Sequence, residues 1–185
     1  LGDLVSGGGN VAIGTDAAKL LTTGASNTVV GHQAFDAANL GEEGNVVIGT
    51  YAMGAFVEHS GGGSGVNQNV AIGMNAFTGG ALASGEVVSN NVAIGYASLD
   101  ATGGEPMTGT TAVGAYSLSA LTSGSGNTAV GFEALKTENA GSGNVALGYQ
   151  ALETLDNDTG HNVAIGYDAM QAASGAYYHV CIGSY

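Results

Sequence analysis

The sequence predicts an all-β fold, a parallel β-solenoid of about ten coils, and the prediction depends on a repeat, the composition and a strand pattern. A five-residue segment, in most copies Asn-x-Ala-x-Gly with an aliphatic residue or Thr at x, recurs ten times along the 185 residues. Glycine accounts for 34 residues, while 44% of the residues are apolar and only 9% charged, which excludes a disordered chain. The copies fill the sequence, so we predict a single repeat array over residues 1–185, either complete or a fragment of a longer fibre.

Two positions of the repeat are nearly constant. Asn opens eight of the ten segments and Gly closes all ten, at intervals of 17 to 24 residues. The asparagines are Asn10, Asn27, Asn45, Asn69, Asn91, Asn127, Asn144 and Asn162. The glycines are Gly14, Gly31, Gly49, Gly73, Gly95, Gly114, Gly131, Gly148, Gly166 and Gly183. Both sets are predicted to be structural, because stacked coils place identical positions above one another.

Each five-residue segment is predicted to be a short strand. Its second and fourth residues share one face, and the small residue between them faces the other way. We expect the larger residues to fill the coil and the small residue to face outward, where it lets the backbone of another chain approach in a homotrimer. The Gly then allows a turn, and the Ala134-Leu135 type of pair that follows begins a second short strand. Stacking at ~4.8 Å would give a rod of roughly 45–50 Å.

The recurrent Asn has two interpretations. An exposed row would bind a ligand, whereas an internal ladder would hydrogen-bond to itself and to the turns, and the ladder is favoured. The two longest intervals contain residues 61–65 and 79–89, which we expect to be looped out of the stack.

Charge and motifs exclude several functions. Two basic against fifteen acidic residues give a net charge of −13, which excludes nucleic acids and anionic lipid as partners. No apolar run is long enough to insert into a bilayer. Phosphate loops, nucleophile elbows and zinc-protease motifs are missing from the sequence, so we predict no enzyme and no catalytic or cofactor-binding residue. All fifteen acids lie between the five-residue segments, where a solvated surface is favoured over an acid–base pair.

Metal binding has one weak candidate. Asp156 and Asp158 have the alternation that begins a calcium loop, but no bidentate Glu follows, and a plain turn is favoured. The four histidines share no register, so turn or ladder positions explain them better than a metal site. Cys181 replaces the Ala of the last segment and is expected to be a small buried thiol. Asn157 begins a glycosylation sequon.

Aromatic residues follow the closing Gly in several copies, and Tyr96, Tyr149 and Tyr167 are candidates for surface contact. Such a row could stack sugars as a glycan-binding module. Stacking of the rings on each other, which stabilises neighbouring coils, is favoured.

The best copies are residues 127–135 (NTAVGFEAL), 144–152 (NVALGYQAL) and 162–170 (NVAIGYDAM). They resemble the NTAVGYxAL repeats of bacteriophage tail fibres and the Asn-x-Val-Ala-Ile-Gly head repeats of trimeric autotransporter adhesins of the YadA type. The resemblance covers nearly the whole chain. It implies a left-handed β-roll, a homotrimer, and an extracellular, cell-surface or virion fibre that contacts a host-surface glycan or protein. We therefore predict a structural or adhesive fibre.

The two ends of the sequence look complementary. Residues 180–185 form half a coil, and residues 1–9 read like the missing half. Either a longer fibre is divided here, or the alternative function applies, a secreted subunit that polymerises head to tail. The residues of such a joint would be Leu1, Leu4, Val180, Ile182 and Tyr185.

Overall fold

The computed structural model describes residues 5–57, 65–103, 105–155, 160–173 and 177–184. Within those ranges, every regular element is a β-strand and every strand pairing is parallel. This confirms the all-β parallel solenoid, with nine turns between the ten strands of its main sheet. Six residues named above fall outside the described ranges: Leu1, Leu4, Asp156, Asn157, Asp158 and Tyr185.

The described residues contain thirteen strands of two or three residues. In chain order they are β1 (Val11–Ile13), β2 (Thr28–Val30), β3 (Val46–Ile48), β4 (Gly65–Asn67), β5 (Val70–Ile72), β6 (Val87–Ser89), β7 (Val92–Ile94), β8 (Met107–Thr108), β9 (Thr111–Val113), β10 (Thr128–Val130), β11 (Val145–Leu147), β12 (Val163–Ile165) and β13 (Val180–Ile182). The main sheet has the order β1-β2-β3-β5-β7-β9-β10-β11-β12-β13, and β4-β6-β8 form a second sheet.

Neighbouring strands of the main sheet pair at equivalent positions of the repeat. Ala129 of β10 lies beside Ala146 of β11, for example. The register is unchanged across the longest interval between closing glycines, where Val47 of β3 lies beside Ala71 of β5. The residues added in the longer coils therefore do not shift the main sheet. The expectation that these segments are looped out of the stack is wrong where they form strands of the second sheet, since Gly65 begins β4 and Val87–Ser89 is β6. Residues 61–64 lie outside the described ranges.

The main sheet faces the core with the side opposite to the one we predicted. The central residue of each inner strand is buried, as at Ala71 and Ala146, whereas the flanking residues lie outward. At the two ends Ile13 and Ile182 are 60% and 73% exposed. The reason is space: large side chains of the turn segments, such as fully buried Leu135, already occupy the core. The central strand residue is therefore Ala in most coils, and the largest side chain found there is Val, at Val29 and Val47.

The segment after the closing Gly is a turn, so the predicted second strand is wrong. Its backbone has two non-glycine residues with positive φ, as at Glu133 (57°) and Leu135 (51°). The Glu133 amide donates to the Ala115 carbonyl in the preceding coil, and the Leu135 amide donates to Ala151 in the following one, both at 3.0 Å. The turns therefore stack coil on coil without strand geometry.

The closing Gly is required by a close backbone approach. Gly131 has φ +139°, and a Cβ added there would lie 2.2 Å from the carbonyl oxygen of Gly148. The closing glycines from Gly14 to Gly166 repeat this contact with the next coil, so a side chain at any of them would separate two coils.

Candidate functional site

The recurrent Asn side chains lie inside the coils, where they join one coil to the next. Asn27 donates to the Oδ1 of Asn10 from its backbone amide at 2.9 Å and from Nδ2 at 3.1 Å. Its Nδ2 also donates to the Glu42 carbonyl at 2.8 Å. Seven of the eight asparagines are fully buried: Asn27, Asn45, Asn69, Asn91, Asn127, Asn144 and Asn162. These seven side chains therefore present no polar surface to a ligand.

Thr110 interrupts this Asn row in the sixth coil. Its backbone amide donates to the Oδ1 of Asn91 at 2.9 Å, so the main chain keeps the pattern. The Thr110 hydroxyl, however, is buried without a hydrogen-bond partner. In the last coil, the backbone amide of His179 donates to the Oδ1 of Asn162 at 3.1 Å.

Two rows of aliphatic and Thr side chains cover the outer side of the main sheet, and we call this surface the outer face. One row is Val11, Thr28, Val46, Val70, Val92, Thr111, Thr128, Val145, Val163 and Val180. The other is Ile13, Val30, Ile48, Ile72, Ile94, Val113, Val130, Leu147, Ile165 and Ile182. Nine strand spacings give the outer face a length of ~43 Å. Neither row contains a charged residue, although the chain carries a net charge of −13.

Sequence reasoning missed the outer face because it assigned these side chains to the core. The signal that identifies it is the size of the central residue. An Ala that recurs between two larger residues indicates that this side of the strand packs against the core, where little space is left. The core space is filled by the large buried side chains of the turn segments, such as Phe35 and Leu135.

A row of aromatic rings runs beside the outer face, and we call it the aromatic row. Tyr96, Tyr116, Phe132, Tyr149 and Tyr167 belong to five consecutive coils, and the centroids of neighbouring rings are 5.1 to 6.3 Å apart. The Phe132, Tyr149 and Tyr167 rings stack with interplanar angles of 19° and 5°. The structure thus brings all three candidate tyrosines into one row. Because both faces of Tyr149 are turned to neighbouring rings, this arrangement favours mutual stacking over stacking with a sugar.

A polar network crosses three coils close to the aromatic row. Lys136 Nζ contacts Glu133 Oε1 at 2.7 Å, and Gln150 Nε2 donates to Glu133 Oε2 at 2.6 Å. Gln171 extends the network through a 3.0 Å bond to Glu153. The hydrogen bonds from Lys136 and Gln150 lower the pKa of Glu133, and Glu133 in turn raises the pKa of Lys136.

Among the described residues, two acidic side chains are buried, which corrects the expectation that all acids lie on a solvated surface. Glu42 accepts hydrogen bonds from the backbone amides of Asn39 at 2.9 Å and Leu40 at 3.1 Å. Glu138 accepts one from the Gly141 amide at 2.7 Å. Both carboxylates bind the turn of their own coil, and such a role requires no substrate.

The remaining candidates lie apart from one another. His32 contacts the ring of Tyr51, and His161 stacks on Tyr178. Cys181 is a free thiol that is partly exposed, although we expected it to be buried. Among the described residues, no group of three His, Cys, Asp or Glu side chains is placed to hold a metal ion.

The comparisons with known proteins found no matching family model, no matching curated protein and no matching solved structure. The resemblance to fibre repeats therefore stays a prediction from the quoted motifs. A search of the described residues for a helix with the length and apolar character of a membrane span found none.

Proposed function

We propose that this chain is a segment of a structural fibre, a solenoid that forms a homotrimer through its outer face. The observation that supports this proposal is the outer face itself. Its two rows place twenty side chains on one surface, seventeen aliphatic and three Thr. A sheet normally buries such a surface against another layer.

The size of this surface supports association. The two rows extend ~43 Å along the rod and, over strands of three residues, roughly 10 Å across it. The product, roughly 430 Å², lies in the range of the largest apolar patches found on monomeric proteins. Covering it with copies of the same chain would remove apolar area from water at about 25 cal/mol per Å².

The distribution of charge supports self-association as well. The fifteen acids stand outside the two rows, so copies can meet at the outer face without juxtaposing carboxylates. The repulsion that remains acts over longer distances and is screened within ~8–10 Å at physiological ionic strength. The trimeric state, the left-handed coil and the location outside the cell or on a virion come from the resemblance to fibre repeats. Contact with a host-surface glycan or protein is part of the same proposal.

The test is the mass of the particle in solution, measured by sedimentation of the 18.0 kDa chain and two variants. Ile72→Glu places a carboxylate in the middle of the outer face. Leu20→Glu makes the same kind of change at an exposed position outside the strands. We expect trimers from the unchanged chain and from Leu20→Glu, and folded monomers from Ile72→Glu. A monomeric unchanged chain at all concentrations, or a trimeric Ile72→Glu variant, would contradict the proposal.

A further inference from the structure

We propose that the aromatic row is a site of oxidative modification, in which Tyr149 couples to Tyr167 and Tyr96 couples to Tyr116 as dityrosine within one chain. The expected modifying agent is a one-electron oxidant of phenols, such as a peroxide acting through a peroxidase. This inference goes beyond the fibre proposal and does not depend on it.

The first observation is the position of the rings. Tyr149 and Tyr167 stack with centroids 5.1 Å apart and an interplanar angle of 5°. Tyr96 and Tyr116 meet at 5.2 Å with nearly perpendicular planes. In both pairs the partners lie on consecutive coils, so the stacking of the fold and not their proximity in sequence brings them together.

The second observation is that the backbone fixes these positions while the rings stay open to solvent. The Asp168 amide donates to the Tyr149 carbonyl at 2.9 Å, and the Tyr116 amide donates to the Tyr96 carbonyl at 3.0 Å. Tyr149 and Tyr167 are 41% and 59% exposed. A small oxidant can therefore reach both members of a pair, and neither ring can move far from the other.

Each pair couples through two phenoxyl radicals. Each phenol loses one electron and its hydroxyl proton and becomes a phenoxyl radical. A carbon–carbon bond then forms between the ring carbons beside the two oxygens. Each of these carbons passes its proton to the solvent while the oxygen of the same ring takes one up, which restores both aromatic rings. The pair loses two electrons and two protons in total, and these reduce one hydrogen peroxide to two water molecules.

A ring that cannot be oxidised to a phenoxyl radical separates the two tyrosine pairs of the aromatic row. Phe132 lies between the two pairs, at 6.3 Å from Tyr116 and 5.4 Å from Tyr149, and it has no hydroxyl group. Coupling is therefore expected as two separate cross-links. Tyr51 is a matched control, because the aromatic ring that it contacts belongs to His32.

The experiment treats the folded chain with a photogenerated one-electron oxidant at low protein concentration. The products are denatured and digested with a protease that cleaves after acidic residues. Asp100 lies between Tyr96 and Tyr116, and Glu153 lies between Tyr149 and Tyr167, so each cross-link joins two separate peptides. The expected result is the blue fluorescence of dityrosine and two joined peptide pairs. Each pair should be lighter than the sum of its peptides by two hydrogen atoms.

Variants make the assignment specific. Y149F and Y96F keep a ring in the row and should each remove one cross-link, the double variant should remove both, and Y51F should remove neither. The same treatment in denaturant should abolish the preference for these pairs. The proposal is overturned if the folded chain forms no dityrosine, if the double variant keeps its yield, or if every cross-link joins two different chains.

Discussion

Asn45 donates a hydrogen bond from Nδ2 to the Oδ1 of Asn27 across 3.0 Å. The same nitrogen donates to the carbonyl of Val66 at 2.7 Å. One side chain therefore joins the start of its own coil to the preceding coil and to strand β4, which follows in the chain. Because both groups are buried, removing either one would leave a polar partner away from water, a loss of about 1–3 kcal/mol. The recurrent asparagines therefore stabilise the stacking of the coils from inside the rod.

Thr110→Asn should stabilise the fold. Asn at this position can accept from Asn127 and donate toward Asn91, and it replaces a hydroxyl that is buried without a hydrogen-bond partner. We expect a gain of about 1 kcal/mol in the free energy of unfolding, measured by denaturant titration. Thr111→Asn, on the outer face, is the control and should give no gain. An unchanged or lowered stability of Thr110→Asn would show that the sixth coil has no room for the amide.

Gly131→Ala should prevent two coils from stacking. Its Cβ would lie 2.2 Å from the backbone oxygen of Gly148, and the residue also has positive φ. Gly126→Ala is the matched control, since Gly126 has φ +69° but nothing within 4 Å of an added Cβ. We expect Gly126→Ala to cost about 1 kcal/mol and Gly131→Ala several times more, seen as a lower thermal midpoint. Equal losses would mean that the close approach is unimportant.

Two leucines test the assignment of inner and outer sides. Leu135 is fully buried, whereas Leu147 lies on the outer face. Leu135→Ala should cost about 2–5 kcal/mol because it leaves a cavity among tightly packed coils. Leu147→Ala should change the stability of the single chain far less and should weaken association instead. Chemical denaturation and sedimentation distinguish the two effects, and the reverse pattern would refute the assignment.

The sequence predicted the stacking of coils, because ten copies of one segment cannot bury their faces unless they pair. It did not predict which side of the strand is the core. The alternation of large and small residues is the same for both orientations, and only the bulk of residues such as Leu135 decides between them. The turn that contains Glu133 and Leu135 was also missed. Positive φ at non-glycine residues is uncommon, and here hydrogen bonds from both neighbouring coils hold it.

The aromatic row was partly predictable. The position of Tyr149 and Tyr167 after the closing Gly places them in neighbouring coils at one register. Tyr116 stands one residue later, and only the structure shows that its ring fills the gap between Tyr96 and Phe132. Glu42 and Glu138 gave no signal, since a carboxylate that binds its own turn looks in sequence like any solvated acid.

The stability of the rod should depend on pH in opposite directions at two carboxylates. Hydrogen bonds from Lys136 and Gln150 lower the pKa of Glu133 in the folded state. Its contribution is therefore present above the pKa of the unfolded chain, about 4.5, and is lost as the pH falls through the lower folded value. Glu133→Gln should thus destabilise the protein at pH 7, and the difference from the unchanged chain should disappear in acid.

Asp36 provides the opposite case. Desolvation is the main cause that raises its folded pKa, so its charged form is disfavoured in the fold at neutral pH. The cost is relieved as the pH falls through the raised folded value, because the folded chain then binds more protons than the unfolded chain. Asp36→Asn should consequently stabilise the protein at pH 7, and this gain should shrink as the pH is lowered. Denaturant titrations of both variants across the carboxylate range measure the two trends in the same buffers. Because both substitutions remove one negative charge, relief of the net charge of −13 would shift them in the same direction. Only the local interactions can make them diverge, and parallel curves would contradict both assignments.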